Sequence, residues 1–340
     1  DIARTGLAMQ ESLAEIRSRV FIEPGIPTHT SGFSDALAFR SIGIDNTLSI
    51  FGGQCTVRHI DDSEIVFDLS GIDASIANAL RRIMIAEVPT IAIENVNIYQ
   101  NTSIMQDEVL AHRVGLIPIL ADPRLFDYVG DGPSTHRNTL VFRLSISCQE
   151  AKGSTPDSPN YINSKVYSSA IEWVPQGDEQ IAMFASCPPR CVDPDILICE
   201  LRPGQVIELE LFAEKGTGQT HAKWSPVCTA AYKLMPEVIL DEDVFLTGNQ
   251  AQELVKKCPM NVFDIEDDRV VVARPMDCTM CRECIRDTDY PIKLRRLRDH
   301  FIFTVESTGI YRPEEILIEA ITVLANKCHT LLDCLDRISR

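Results

Sequence analysis

The feature that most constrains this chain lies near its C-terminal end. Leu317, Ile321, Leu324, Cys328, Leu331, Leu335 and Ile338 follow spacings of four, three, four, three, four and three. A repeat of about 3.5 residues draws an apolar seam along one side of a helix. Pro313 suits a first helical position through its fixed φ, and Glu314 and Glu315 complement the positive end of the helix dipole. The seam faces either another helix or the chain's own core, because an ordinary globular helix carries a stripe of this kind too. A strand over residues 300–306 and a turn at Gly309 deliver the chain to it.

Upstream, residues 56–69 read as an extended segment, followed by a helix signalled by Ser70, Gly71 and Asp73. Its apolar positions Ile76, Leu80, Ile83, Met84 and Ile85 recur at helical spacing until Pro89 stops it. Alternation at Ile91, Ile93, Val96 and Ile98 predicts a half-buried strand over 90–99. A short helix opens at Asp107 and closes near Gly115 and Pro118. Residues 122–138 and 151–160 read as loops on either side of a strand at 140–147. Further strands fall at 196–201 and 206–212, joined through the turn signal Arg202-Pro203-Gly204. Residues 1–55, with an amphipathic stretch over 10–20 and the segment Pro24-Gly25-Ile26-Pro27, are expected to be weakly ordered. The pattern is α+β, with a mixed, mainly β middle.

Charge excludes one class of partner. With 49 acidic against 32 basic residues the chain carries a formal −17, which repels phosphate backbones at long range. No apolar run approaches the roughly 18 to 20 residues of a spanning helix, so no membrane partner is expected. The opening Asp1-Ile2-Ala3-Arg4 does not read as a secretory signal. Twelve cysteines spread through a chain of this length read as reduced thiols, some of them candidates for metal.

One cluster has the spacing of a metal centre. Cys278, Cys281 and Cys284 are each separated by two intervening residues, a spacing at which thiolates wrap one corner of an iron–sulfur cube. Cys258, followed by Pro259, supplies a fourth thiol. No cysteine lies three residues after Cys284, so one cluster fits and not two. The cofactor is then one 4Fe–4S cluster or one zinc ion, since four thiolates also make a closed tetrahedral site. The third alternative is free thiols with no cofactor.

Other candidates give way to plainer roles. Cys187, Cys191 and Cys199 read as free thiols. Lys215-Gly216-Thr217-Gly218 lacks the strand–glycine–helix setting of a phosphate loop. Arg295, Arg296 and Arg298 suit a solvated basic face. His112 and Arg113 have no nucleophile or paired carboxylate marked near them and suit an interface. No catalytic constellation is left.

The run from Asp68 to Thr90, Asp-Leu-Ser-Gly-Ile-Asp-Ala-Ser-Ile-Ala-Asn-Ala-Leu-Arg-Arg-Ile-Met-Ile-Ala-Glu-Val-Pro-Thr, resembles the alpha motif of cellular RNA polymerase subunits. So does Asp107-Glu108-Val109-Leu110-Ala111-His112-Arg113-Val114-Gly115-Leu116-Ile117-Pro118-Ile119. The likeness continues through His221-Ala222-Lys223-Trp224-Ser225-Pro226 and Val305-Glu306-Ser307-Thr308-Gly309 to the last helix. The class II members carry a zinc-binding cysteine run soon after Gly-Leu-Ile-Pro. Here Ala121-Asp122-Pro123-Arg124-Leu125-Phe126 follows, with no cysteine before Cys148. In this the chain is similar to the larger alpha-like subunits shared by polymerases I and III. Their archaeal counterpart is the nearer rival, because some of its members hold an iron–sulfur cluster where Cys258 to Cys284 fall; the other alternative is an iron–sulfur redox or sensing protein, against which the rest of the chain offers no partner cofactor site.

The resemblance implies an alpha-type dimerisation domain in separated parts, 55–89, 228–240 and 295–340. They are interrupted by a mixed β insertion at 90–227 and a ferredoxin-like insertion at 241–294, and preceded by an extension over 1–54. It implies a non-catalytic assembly subunit that pairs with a smaller alpha-like subunit, the seam joining Ile76, Leu80 and Ile83 of the alpha-motif helix in a four-helix interface. Arg81, Arg82, His112 and Arg113 become candidates for contact with the second-largest and largest subunits, and small zinc-binding subunits join the list of partners. The bacterial relative ends in a tethered DNA-binding domain, whereas this sequence ends directly after the seam, so no sequence-specific DNA contact is expected. The implied location is the nucleus, nucleolus and nucleoplasm, with assembly in the cytoplasm.

Overall fold

A computed structural model describes residues 19–22, 53–130, 134–151, 161–240, 246–286, 290 and 292–338. Most of the 10–20 stretch, the Pro24-Gly25-Ile26-Pro27 segment and residues 152–160 lie outside the described residues.

The elements in chain order begin with β1 (Arg19–Ile22), β2 (Gln54–Ile60), β3 (Glu64–Ser70), α1 (Ala74–Ala86), β4 (Pro89–Asn101), α2 (Asp107–Gly115) and β5 (Ile119–Leu120). The middle holds β6 (Thr139–Ser147), β7 (Gln149–Glu150), β8 (Tyr161–Ile162), β9 (Lys165–Tyr167), β10 (Glu172–Val174) and α3 (Asp178–Met183). It continues with β11 (Arg190–Cys191), β12 (Leu197–Glu200), β13 (Val206–Thr217) and β14 (Val227–Leu240). Last come α4 (Gly248–Lys257), β15 (Phe263–Glu266), β16 (Arg269–Val272), β17 (Ile292–Ser307) and α5 (Pro313–Ile338). The fold is α+β. Its chain divides into two compact units, one drawn from residues 1–58, 66–78 and 232–303, the other from 59–65, 79–231 and 304–340.

The first unit is built on a five-stranded sheet ordered β1-β17-β3-β2, with β14 also paired to β17. The extended segment expected over 56–69 is broken at Asp61. Its carboxylate accepts the N–H groups of Ser63 (2.8 Å) and Glu64 (2.7 Å) and turns the chain between β2 and β3. Those bonds pull its pKa down to about 2. The expectation of weak order before residue 55 fails at one place: Arg19–Ile22 pairs antiparallel with β17, Arg19 opposite Leu297 and Ile22 opposite Leu294. The sheet is held by aromatic contact, Phe67 stacked on Phe303 at 5.1 Å and Tyr232 edge-on to Phe301 at 5.4 Å. Around the cysteines, α4 and the β15–β16 hairpin enclose a smaller core that includes Ala251, Leu254, Val262, Phe263 and Leu294. Asp267 and Asp268 both take positive φ at the hairpin turn, the conformation that matches strand twist in a two-residue loop.

The second unit is built on a four-stranded sheet ordered β10-β6-β13-β4. Strand β13 lies antiparallel to both β4 and β6 and buries Ile207, Leu209, Leu211 and Ala213 on one face. Leu110 and Val114 of α2 complete that core with Ile91 and Ile93 of β4. The turn at Arg202-Pro203-Gly204 forms with Gly204 at φ +86°. It joins strands of different sheets, since β12 pairs with β9.

Candidate functional site

Helix α1 starts where the sequence places it. Asp73 accepts the backbone N–H of Ser75 at 2.9 Å and its hydroxyl at 2.7 Å, satisfying donors that a helix start leaves open. Ala77, Leu80, Ile83 and Met84 are buried in the chain's own fold, while Ile76 is half-buried. Leu80 and Ile83 therefore offer no open surface to a partner.

Three sequence motifs far apart in the chain converge where α5 begins. The Tyr311 hydroxyl donates to the Pro89 carbonyl at 2.9 Å, and the Thr90 hydroxyl donates to the Trp224 carbonyl at 2.7 Å. Thr308 donates through its N–H (2.9 Å) and its hydroxyl (3.0 Å) to the Pro226 carbonyl. The Lys215-Gly216-Thr217-Gly218 segment belongs to the same junction. A Cβ on Gly218 would stand 2.3 Å from the Ile85 carbonyl oxygen, and one on Gly216 2.4 Å from the Trp224 ring. These glycines serve close packing. Arg124, which carried no signal in the sequence, clamps the helix base: it bonds Asp122 at 2.8 Å, reaches Glu315 at 3.3 Å and Glu319 at 3.6 Å, and lies over the Tyr311 ring.

From that base α5 runs for 26 residues, about 39 Å at 1.5 Å per residue. Only Pro313, Ile316 and Ala320 are buried. Leu317 and Leu324 of the seam are half-buried, and Ile321, Cys328, Leu331, Leu335 and Ile338 are exposed. Every residue from 325 to 338 is exposed. Lys327 pairs with Glu87, just beyond α1. Isolated helical segments of this length are marginal in water, and an uncovered row of leucines adds a cost in apolar exposure.

The four candidate large-subunit contacts differ in their surroundings. Arg82 and His112 are exposed, and Arg81 is half-buried. Arg113 is already engaged, its Nε donating to the Ile198 carbonyl at 3.0 Å and its Nη2 to the Leu197 carbonyl at 2.7 Å. It ties α2 to β12.

Cys258, Cys278, Cys281 and Cys284 line a single pocket, with Val262, Phe263 and Leu294 among its other walls. The N–H of Val262 donates to the Cys258 sulfur at 3.4 Å, and Met280 and Arg282 take left-handed φ of 58° and 65° as the chain winds between the other three thiols. Burial, then the neighbouring cysteines, pushes the Cys284 thiol up to about 12; burial first also raises Cys278. Among the described residues, no group of three or more His, Cys, Asp or Glu is placed to hold a metal ion. The thiols meet as neighbours without closing on one point. Cys187 is exposed and Cys191 and Cys199 are buried, burial pushing each of the latter two thiols up to about 11.

No helix among the described residues is long and apolar enough to cross a membrane.

The family model for the RNA polymerase Rpb3/Rpb11 dimerisation domain matches residues 66–328. A Dictyostelium discoideum protein, DNA-directed RNA polymerases I and III subunit rpac1, is 46% identical over 311 residues, covering 88% of this chain and 88% of its own. The human DNA-directed RNA polymerases I and III subunit RPAC1 is 43% identical over 346 residues, covering 98% of this chain and 99% of its own. The polymerase II subunit rpb3 of the same Dictyostelium is 35% identical over 288 residues, 80% of this chain and 91% of its own. The matched region includes the segments that build the foot of α5, and the chain belongs to the RNA polymerase Rpb3/Rpb11 dimerisation-domain family.

Proposed function

We propose that this chain is the larger alpha-like subunit of RNA polymerases I and III, an assembly subunit with no catalytic residues of its own. The observation that carries this is α5, whose seam runs on in solvent past its foot. In heptad terms the seam supplies the a and d positions, and Ile318, Ala325 and Leu332 follow at e while Ala320, Lys327 and Cys334 fall at g. A two-stranded coil would place charges at e and g; apolar e positions widen the face to the width used in a bundle. The partner is then a smaller alpha-like subunit contributing more than one helix. The class is supported by the higher identity to the polymerase I and III relatives than to the polymerase II one. Contacts of Arg81, Arg82, His112 and Arg113 with the large subunits, and a nuclear location, belong to the same proposal.

Co-expression with the smaller alpha-like subunit tests it. A stoichiometric complex by size exclusion is expected. Equal solubility of the chain with and without that subunit, and no complex, would refute it.

A second proposal concerns the thiol pocket. Four cysteines on one pocket, with a backbone N–H aimed at one sulfur, suit a thiolate-held centre in number and in donor chemistry. When bound, such a centre, iron–sulfur or zinc, would cross-link the loop at 278–284 to the end of α4 and brace the insertion. Small rotations of these side chains would be needed to close the site. Anaerobic purification followed by iron, sulfide and zinc analysis decides it, with Cys281→Ser as the control. Less than a tenth of an equivalent of each would leave the cysteines as free thiols.

A further inference from the structure

The second unit carries a cleft that the assembly seam does not use. It lies between α2 and the turn at His221–Trp224, has a volume of about 260 Å³, and brings together two motifs that stand more than a hundred residues apart. His112 and Leu116 line it from the α2 side, His221 and Lys223 from the other, with Glu94 and Val96 of β4 between them.

Its polar side chains are Glu94, Asn95, His112, His221 and Lys223, and the Asn95 amide donates to Glu214 at 3.1 Å. The N–H of Lys223 donates to Nδ1 of His221 at 3.1 Å, so in the neutral ring the hydrogen sits on Nε2. That ring is also held edge-on to Trp224, with centroids 6.4 Å apart. Lys223 lies 4.4 Å from the centroid of the Trp224 ring, and its ammonium group, little exposed, donates to the Ile93 carbonyl at 2.7 Å and pairs with Glu94. His112 is exposed, and its imidazole has no hydrogen-bond partner among the described residues. The one carboxylate in the cleft is thus already neutralised by Lys223, while the two imidazoles stay available. Leu116 and Val96 add apolar wall.

We infer that this cleft is a socket for an acidic side chain on another polypeptide, an Asp or Glu flanked by an apolar residue. Imidazole N–H groups without a matching acceptor suit a carboxylate, since a hydrogen bond to an ionised acceptor is shorter and stronger than one to a neutral group. The strongly acidic balance of the chain disfavours a polyphosphate ligand in the same place. The inference rests on the chain acting inside a multisubunit polymerase, and it assigns a second interface, separate from the α5 seam.

The test uses the full chain, tagged, as the sole copy in its cell, with Leu116→p-benzoylphenylalanine as a photo-crosslinker. The crosslink is expected on one subunit other than the smaller alpha-like one, at a peptide whose crosslinked residue lies beside an Asp or Glu. His112→Leu with His221→Phe should lower recovery of that subunit about tenfold, the scale of one lost charge-assisted hydrogen bond. His221→Gln, which keeps an N–H near the Nε2 position, should restore much of it in the His112 background. Loss of the smaller subunit from wild-type purifications would overturn the assembly reading. Its retention together with a crosslink to nucleic acid, to no polypeptide, or to a peptide without an acidic residue would overturn the socket alone, as would undiminished recovery in the double variant.

Discussion

Truncating the free end of α5 separates what holds the chain together from what holds its partner. Leu331 and Leu335 are 65% and 61% exposed, whereas Leu80 is 6% exposed. Full burial of a leucine side chain contributes about 1.5–3 kcal/mol, so covering the exposed share of each seam leucine contributes about 1–2 kcal/mol. Leu331→Ala with Leu335→Ala should therefore weaken the complex with the smaller alpha-like subunit by about 2–4 kcal/mol, or about thirtyfold to several hundredfold in Kd. The chain's own stability should move by no more than about 0.5 kcal/mol, because these side chains are mostly exposed and alanine is a better helix former than leucine. Leu80→Ala should do the reverse, costing the chain about 2–5 kcal/mol through the cavity it leaves. Dissociation of the co-expressed complex on dilution reads the affinity, and urea denaturation of the separated chain reads the stability. The reasoning is refuted if the double variant loses about 2 kcal/mol or more of chain stability while Kd stays unchanged.

Four further outcomes are expected. Gly218→Ala should destabilise by about 1–3 kcal/mol by thermal unfolding, because its Cβ would meet the rigid Ile85 carbonyl. Arg124→Ala removes partly exposed ion pairs and should cost under about 1 kcal/mol, yet speed amide exchange in the first two turns of α5. Burial alone would raise the Asp68 carboxyl, but the bonds from Arg58 and His300 outweigh it and hold the group below its ordinary range. A depressed carboxyl contributes stability that is full above its unfolded value and lost as pH falls through the folded one; the stability gap between wild type and Asp68→Asn should therefore close as pH drops below about 4. With a disulfide reagent at pH 8, Cys191, Cys199 and Cys284 should react last, since their thiols are held at about 11, 11 and 12, and mass mapping of the modified peptides would show the order.

How much of this was legible in the sequence depends on the range of the forces involved. The helices at 74–86, 107–115 and 313–338 were written in local terms, through a cap at Asp73, acidic first turns and apolar spacing. The turn at Asp61 was missed because it has no glycine or proline; a single carboxylate accepting two N–H groups makes it. Strand β1 was missed because its four residues are held by a partner more than 270 positions away. The junction under α5 was visible only as motifs, since hydrogen bonds from Tyr311 to Pro89 and from Thr308 to Pro226 leave no spacing to read. Arg124 was invisible for the same reason. The cysteine spacing suggested a metal site; the four thiols line one pocket, but spacing carries no information on whether their sulfurs close on a single point.

The seam shows the limit most clearly. A heptad read from sequence has one phase and no inside, so Leu80 and Leu335 looked alike as interface positions. The structure parts them by geometry. Leu80 belongs to a helix anchored at both ends, by Asp73 at its start and by the Glu87 and Val88 N–H bonds to Ile83 at its finish, and its apolar side has no free direction. Leu335 belongs to a helix anchored at its foot, by Tyr311, Arg124 and the buried Ile316 and Ala320. Beyond Ala325 each further turn adds apolar surface and no buried contact, so within the chain alone lengthening this helix is unfavourable. The covering partner proposed above accounts for its length. That is why substitutions at the foot should report on the chain, and substitutions at the tip on its partner.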